Sequence, residues 1–75
     1  MMDNVNNPKH YTSGAIECIA AIEAALGPEA FIAYCRGNVI KYTWRSGMKL
    51  DAAEDMAKAQ WYAHRAEQAI RNANK

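Results

Sequence analysis

The fold is indicated most clearly by residues 51–73, which read DAAEDMAKAQWYAHRAEQAIRNA. Asp51 and Glu54 have the spacing of a capping box, which marks the start of a helix. Glu54 also lies one turn before Lys58 and is placed to pair with it. Six residues at alternating four- and three-residue steps form a heptad seam built mostly from alanine: Ala52, Met56, Ala59, Ala63, Ala66 and Ile70. We therefore predict a long helix whose seam lets another helix approach closely.

A second helix is predicted upstream, from about Pro28 to Arg45. Proline suits the first turn of a helix, and Ser46-Gly47 provides the stop. Gly37 lies in the middle of this helix, where the missing side chain lets another backbone or a ligand approach. One stripe at three- and four-residue steps is predicted to be buried: Ile32, Cys35, Val39 and Tyr42.

The remaining N-terminal residues predict a further helix preceded by an extended arm. Ser13 has a side chain suited to an N-cap, and Gly27 suits the C-terminal stop. Pro8 and the residue before it disfavour helix, so an extended arm is expected before Ser13. The chain is therefore expected to consist of an arm, residues 1–12, and a single helical domain, residues 13–75. The predicted class is all-α, with about three helices in a small bundle.

A chain of 75 residues buries little surface, so its stability is normally marginal without help. Cys18 and Cys35 lie in apolar helical patterns, which predicts buried thiols rather than a disulfide framework. The spacing of these cysteines with His10 and His64 does not match a structural zinc site. Self-association is the remaining common source of stability, so a homo-oligomer is expected.

The beginning of the sequence lacks the basic region and apolar core of a signal peptide. The apolar stretch at residues 15–26 is interrupted by two glutamates and is shorter than the ~20 residues that span a bilayer. We therefore expect a cytoplasmic protein without a membrane partner. The net charge of +1 excludes a polycation that binds bulk nucleic acid through charge alone.

A polar stripe runs beside the buried stripe of the second predicted helix. Its members follow the same helical steps: Tyr34, Asn38, Lys41 and Arg45. This helix has no acidic residue after Glu29, whereas an ordinary solvated face mixes charge signs, so binding is favoured over a solvated surface. A similar row on the last helix contains Tyr62 and Arg65, with Asp55 and Lys58 interpreted as simple ion pairing.

Lys9, His10 and Tyr11 form a further candidate cluster at the end of the arm. Two interpretations remain open for them. In the first, Tyr11 packs on the bundle and leaves Lys9 and His10 in water. In the second, the ring of Tyr11 or His10 stacks on a base while Lys9 contacts a phosphate. Trp44 and Trp61 are interpreted as core or interface anchors, because indoles bury a large area.

The sequence contains no phosphate-binding loop and no dinucleotide fingerprint, so a conventional nucleotide fold is excluded. It also supports no Ser-His-Asp or Cys-His constellation, and no catalytic residue is assigned. Asp51, Glu54 and Asp55 have oxygens that suit a metal, but acids in the first turn of a helix are equally explained by the helix dipole. No metal or cofactor is therefore predicted from these residues.

Three segments carry a resemblance to a known family: NPKHY at residues 7–11, GNVIKYTWR at residues 37–45 and EDMAKAQWY at residues 54–62. In order and spacing they resemble small bacteriophage proteins described as a domain of unknown function and labelled nucleotide kinase-like. One relative is a deoxynucleoside monophosphate kinase without a phosphate-binding loop. The resemblance thus implies nucleotide handling, with Mg²⁺ and ATP as cofactors only if the chain is a kinase.

The leading hypothesis is a phage-encoded helical oligomer that binds a mononucleotide or a cyclic oligonucleotide at subunit interfaces. Its expected use is to sequester cyclic nucleotide signals of host antiviral defence. The alternatives are a deoxynucleoside monophosphate kinase and a protein or nucleic-acid interaction module. The candidate nucleotide-binding residues are Lys9, His10, Tyr11, Tyr34, Asn38, Lys41, Arg45, Tyr62 and Arg65.

Overall fold

The computed structural model describes residues 12–13, 16–48 and 51–75. Its elements, in chain order, are β1 (Thr12–Ser13), β2 (Ile16–Glu17), α1 (Cys18–Ser46) and α2 (Ala52–Ala73). The two short strands pair antiparallel, with Thr12 opposite Glu17 and Ser13 opposite Ile16. The core lies between α1 and α2. The predicted all-α class is confirmed, whereas the predicted count of about three helices is wrong, because the described residues form two.

A kink in α1 replaces the predicted boundary between two helices. Gly27 has φ 80° and ψ 167°, a conformation that is outside the helical region and open essentially only to glycine. Pro28 follows, and its fixed φ suits the first turn of the second half. The predicted break is therefore found at the expected residue, but the helix continues across it to Ser46, with Gly47 as C-cap.

The start of α1 differs from the prediction. Ser13 was expected to cap the helix, but it lies in β1, and Glu17 occupies the N-cap with an extended backbone. Pairing between the strands places Ile16 and Glu17 in a ladder, so the helix begins only at Cys18. Of the predicted arm, Thr12 lies in β1, and the other residues fall outside the described part of the chain.

The predicted beginning of α2 is confirmed. The Asp51 side chain accepts a hydrogen bond of 3.0 Å from the Glu54 backbone N–H, as an N-cap does. Lys58 Nζ lies 3.1 Å from a carboxylate oxygen of Glu54, which confirms the predicted pair. The helix ends at Ala73, as expected.

The buried stripe of α2 is displaced from the predicted heptad seam. Two seam residues, Ala59 and Ala66, are buried, but Met56 and Ile70 are exposed. Ala52 and Ala63 are exposed as well. The buried set instead consists of Asp55, Ala59, Ala66 and Ala69. In a pair of helices only one stripe faces the partner, and the other half of the seam has no covering helix among the described residues.

The core is small and centred on two residues of α1. Phe31 and Cys35 are fully buried and pack on Ala66 and Ala69 of α2. The predicted burial of Cys35 is confirmed, but that of Cys18 is wrong, because Cys18 opens α1 and is exposed. Partly buried side chains surround this core: Ile19, Ile22, Ile32, Tyr34 and Tyr62.

The tryptophans differ in their burial. Trp44 is 71% exposed, so its interpretation as a core anchor is wrong within this chain. Trp61 is half-buried, and its ring meets the Tyr62 ring edge-on at 4.9 Å between centroids. Of the two, Trp44 therefore offers the larger apolar surface to a partner.

By length and composition, α1 is one helix able to cross a membrane, and it lies near the N-terminus. The apolar stretch at residues 15–26 is by itself shorter than a bilayer span, but α1 continues beyond the kink at Gly27 to Ser46. Core helices of soluble proteins meet the same criterion. The absence of a membrane partner therefore stays a prediction.

Candidate functional site

Three cations surround the ring of Tyr42 near the connection between the helices. Lys41 Nζ lies 4.5 Å from the ring centroid. Arg45 Cζ and Lys58 Nζ each lie 5.4 Å from it. These distances are within the range of cation–π attraction. We call Lys41, Tyr42, Arg45 and Lys58 the Tyr42 cluster, which is thus built by residues of both helices.

Aromatic rings connect the Tyr42 cluster to the core. Tyr42 stacks on Tyr62, with centroids 5.9 Å apart and planes 11° apart. Tyr62 meets Tyr34 edge-on at 6.1 Å, and Tyr34 in turn stacks on Phe31. Burial, together with the nearby Tyr34 hydroxyl, raises the pKa of Tyr62 above its ordinary value. Tyr62 therefore stays protonated and supports the Tyr42 ring by packing.

The Tyr42 cluster carries more positive than negative charge. Glu54 pairs with Lys58 at 3.1 Å, and Asp55 lies 3.8 Å from Arg45. Lys41 has no acidic partner within 4.0 Å among the residues that the structure describes. Three cations against two carboxylates leave a net positive charge, which attracts anions.

The four residues of the predicted polar stripe of α1 do not all lie at the same site. Lys41 and Arg45 come together at Tyr42, as the spacing suggested. Tyr34 is half-buried in the row of rings. The Asn38 amide donates a hydrogen bond of 3.0 Å to the Tyr34 backbone carbonyl, so one of its N–H groups is engaged within the helix.

Arg65 is held away from the Tyr42 cluster by an ion pair. Its Nη2 lies 2.8 Å from Glu23 Oε1, in the first half of α1. Its guanidinium also lies 5.4 Å from the Phe31 ring, and its Nη1 donates to Gln68 at 3.4 Å. The structure therefore does not bring Arg65 together with Lys41 and shows it linking the two helices. The candidates Lys9, His10 and Tyr11 lie outside the described residues.

Tyr42 and Lys58 were absent from the predicted site. The sequence pattern predicts Tyr42 on the buried stripe and Lys58 in an ion pair, and each prediction describes part of what the structure shows. Helical spacing predicts that Lys41 and Arg45 lie one turn apart on one face and that Arg45 lies one turn from Tyr42. It does not predict the contact of Lys41 with the Tyr42 ring, nor the approach of Lys58, which depends on how the two helices pack.

Within the described ranges, no group of three or more His, Cys, Asp or Glu residues is placed to hold a metal ion. The three acids considered as metal ligands all have protein partners. Asp51 caps α2, Glu54 pairs with Lys58, and Asp55 faces Arg45. The net positive charge of the Tyr42 cluster and its two carboxylate partners can attract an anion.

An open apolar groove lies between the helices, and none of the cations of the Tyr42 cluster is among its lining residues. Val39 and Ile40 of α1 and Ala63 and Ile70 of α2 line it. Ile40 is 65% exposed. Arg36 and Arg71 also line this groove. The helix pair thus has two distinct surfaces, one cationic and one apolar.

Comparisons with known proteins give a family and two phage relatives. The model of the family described as a protein of unknown function, DUF3310, matches residues 5–64. The nucleotide kinase gp1.7 of Escherichia phage T7 is 38% identical over 65 residues, which are 81% of this chain and 33% of that protein. The gene 1.7 protein of Enterobacteria phage T3 is 38% identical over 63 residues, which are 79% of this chain and 39% of that protein. No solved structure matches.

The chain spans between a third and two fifths of the length of these relatives. The match includes all four residues of the Tyr42 cluster and the segments 37–45 and 54–62. Because residues 5–64 are most of the 75-residue chain, the chain belongs to the DUF3310 family.

Proposed function

We propose that this chain is a phage-encoded nucleotide-binding module and that the Tyr42 cluster binds the phosphate groups. The observation that carries the proposal is the convergence of Lys41, Arg45 and Lys58 on one tyrosine ring. Cations and phosphate oxygens form charge-assisted hydrogen bonds, which are stronger than neutral ones. Lys41 is the exposed member without an acidic partner within 4.0 Å in the described part of the chain, so it is available to an anion.

The base of the nucleotide is proposed to contact the N-terminal arm, residues 1–12. A phosphate site needs an aromatic surface nearby if it is to bind a whole nucleotide, and base stacking on such rings tolerates many bases. Tyr42 itself is stacked on Tyr62, so its ring is partly covered. We therefore propose that Tyr11 or His10 stacks on the base and that Lys9 adds a phosphate contact. Arg65 is not part of the proposal, because Glu23 holds it elsewhere.

Calorimetric titration tests this function. Linear nucleotides, including ATP, and cyclic oligonucleotides would be titrated into wild type, Lys41→Ala and Arg45→Ala. Loss of a charge-assisted contact costs roughly 1.5–3 kcal/mol, so we expect affinity to fall roughly tenfold to a hundredfold. Arg71→Ala is the matched control, because Arg71 is exposed near the end of α2 and pairs with Glu67. Equal binding by all variants would show that the cluster is only solvated surface.

The same titration addresses the proposed use of the bound nucleotide. Sequestration of a cyclic signal of host defence requires tight binding of cyclic oligonucleotides without turnover. This sequestration is part of the proposal, as is a location in the host cytoplasm. The supporting fact is that the relatives named above belong to phages of enterobacteria. Preference for linear mononucleotides would contradict the sequestration component.

A nucleotide kinase is the second candidate, and the printed name of the T7 relative favours it. A kinase needs two nucleotide sites and ligands for magnesium. Incubation with ATP, Mg²⁺ and each deoxynucleoside monophosphate distinguishes the candidates, because only a kinase produces a diphosphate. An interaction module for nucleic acid would instead bind DNA and lose affinity steeply with salt.

We further propose that the chain forms a homo-oligomer through an apolar face made of Ile40, Trp44, Met56, Ala63 and Ile70. Met56, Ala63 and Ile70 recur every seven residues, which is the spacing of a helix-packing seam, and the seam has no covering helix among the described residues. A second copy of the helix pair would complete a four-helix bundle. The part of this face that lines the groove contains none of the cations of the Tyr42 cluster, so we propose a nucleotide site separate from the subunit interface.

A further inference from the structure

We propose that Asp55 is a positioning residue that orients Arg45 for phosphate binding, an inference that rests on the proposed function. Among the charged side chains whose burial the structure describes, Asp55 is the buried one, with 4% exposure. Its Oδ1 lies 3.8 Å from Arg45 Nη2, across the two helices. A buried carboxylate is costly unless a cation or hydrogen bonds compensate it, so its position here is tied to Arg45.

Arg45 is held from two directions. Asp55 faces one end of its guanidinium, and the Tyr42 ring lies 5.4 Å from Cζ. The Nε atom is buried and has no hydrogen-bond partner, while the side chain as a whole is 40% exposed. The guanidinium therefore lies between a buried carboxylate and the solvent. Fixing the guanidinium and its forked N–H groups in advance lowers the entropy that Arg45 loses when it binds a phosphate.

The neighbouring pair shows what is particular about Asp55. Glu54 and Lys58 are one turn apart on α2, so their contact forms within one helix. Asp55 and Arg45 belong to different helices, and their contact depends on the packing of α1 on α2. Asp55 is therefore the carboxylate that links helix packing to the geometry of the cationic site.

Charge alone and positioning predict opposite effects of removing this carboxylate. A negative charge near an anion site repels the anion, so Asp55→Asn would tighten binding if Asp55 only neutralised Arg45. If Asp55 orients Arg45, the same substitution weakens binding because the guanidinium is released. The sign of the change in affinity therefore decides between the two roles.

The experiment uses ATP as the probe and the full chain. We expect Asp55→Asn to weaken ATP binding about tenfold, and to cause no further loss in an Arg45→Ala background, because the two residues act as a unit. Glu54→Gln is the control for charge and is expected to tighten ATP binding. Unchanged or tighter binding by Asp55→Asn, or additive losses in the double variant, would overturn the inference.

Two further measurements keep the test decisive. NMR of the Arg45 Nε–H should show slow hydrogen exchange in the wild type and fast exchange in Asp55→Asn, without any ligand. If Asp55→Asn does not fold, the variant Arg45→Lys replaces it in the test. We expect Arg45→Lys to bind ATP as weakly as Arg45→Ala does, because lysine lacks the forked N–H groups of the guanidinium. Wild-type affinity of Arg45→Lys would overturn the inference. If Arg45→Ala and Lys41→Ala bind ATP as wild type does, or the wild type does not bind ATP, the site proposed for the phosphates fails as well. If they weaken binding and Asp55→Asn does not, the inference alone fails.

Discussion

The two cysteines show how differently one residue type behaves at two positions of the same helix. Cys18 is the first residue of α1 and is exposed, whereas Cys35 is fully buried beside Phe31. Burial raises the pKa of the Cys35 thiol, the charge of Glu23 adds to this, and Arg65 opposes it. Since the thiolate is the reactive form, both access and ionisation disfavour reaction at Cys35.

We predict that a thiol reagent labels Cys18 in the folded protein and leaves Cys35 unreacted until the chain unfolds. Because the pKa of Cys35 is raised, increasing the pH through the ordinary range of thiols should accelerate labelling of Cys35 only slightly. Mass analysis of labelled peptides over time measures both rates, and Cys18→Ser isolates the buried thiol. Comparable rates at the two positions would contradict the described core.

Among the elements, α1 contains two glycines whose backbone conformations differ. Gly27 has φ 80° and forms the kink, while Gly37 lies within the helical second half. A Cβ atom added at either position meets no atom within 4 Å. Side-chain crowding is therefore equal at the two positions, and only the backbone conformation differs.

We predict that Gly27→Ala destabilises the protein and Gly37→Ala stabilises it. At Gly27 the residue must keep a conformation that costs a non-glycine residue about 1–3 kcal/mol. At Gly37 alanine gains roughly 0.5–1 kcal/mol from its higher helix propensity. Chemical denaturation followed by circular dichroism, at one protein concentration, measures both changes. A Gly27→Ala variant as stable as wild type would show that α1 runs through residue 27 without this kink.

At the scale of the whole molecule, the helix pair buries few large side chains. The fully buried ones are Phe31 and Cys35, and the α2 side of the core is alanine. Meanwhile Ile40, Trp44 and Met56 are exposed. A chain of this size with such a core normally needs an additional source of stability, which is the physical basis for proposing the oligomer.

We predict that Ala63→Glu dissociates the oligomer. Ala63 lies in the apolar groove with Ile40 and Ile70, and a second copy packed there would remove an introduced carboxylate from water, which costs free energy. Sedimentation should show a species larger than 8.4 kDa for the wild type and a monomer for the variant. Gln68→Glu, an exposed change elsewhere on α2, serves as control. A wild type that sediments as a monomer at micromolar concentration would refute the proposed face.

The boundaries of the elements were the most predictable part of the fold. The cap at Asp51, the stop at Gly47 and the break at Gly27 were each predicted at the right residue. The cap and the break depend on local chemistry, since a capping side chain or a glycine with positive φ acts on its own backbone. The start of α1 at Cys18 was missed, because strand pairing joins residues on both sides of an intervening turn.

The helical class, the cap of α2, the break at Gly27 and the row of Lys41 and Arg45 on one face of α1 therefore follow from the sequence alone. The packing of α1 on α2 decided which face of α2 is buried, and brought Lys58 to the other cations at Tyr42. It also decided that Glu23 engages Arg65. The physical reason is range: helical spacing orders residues along one helix, whereas contacts between α1 and α2 depend on the angle and register at which the two helices pack.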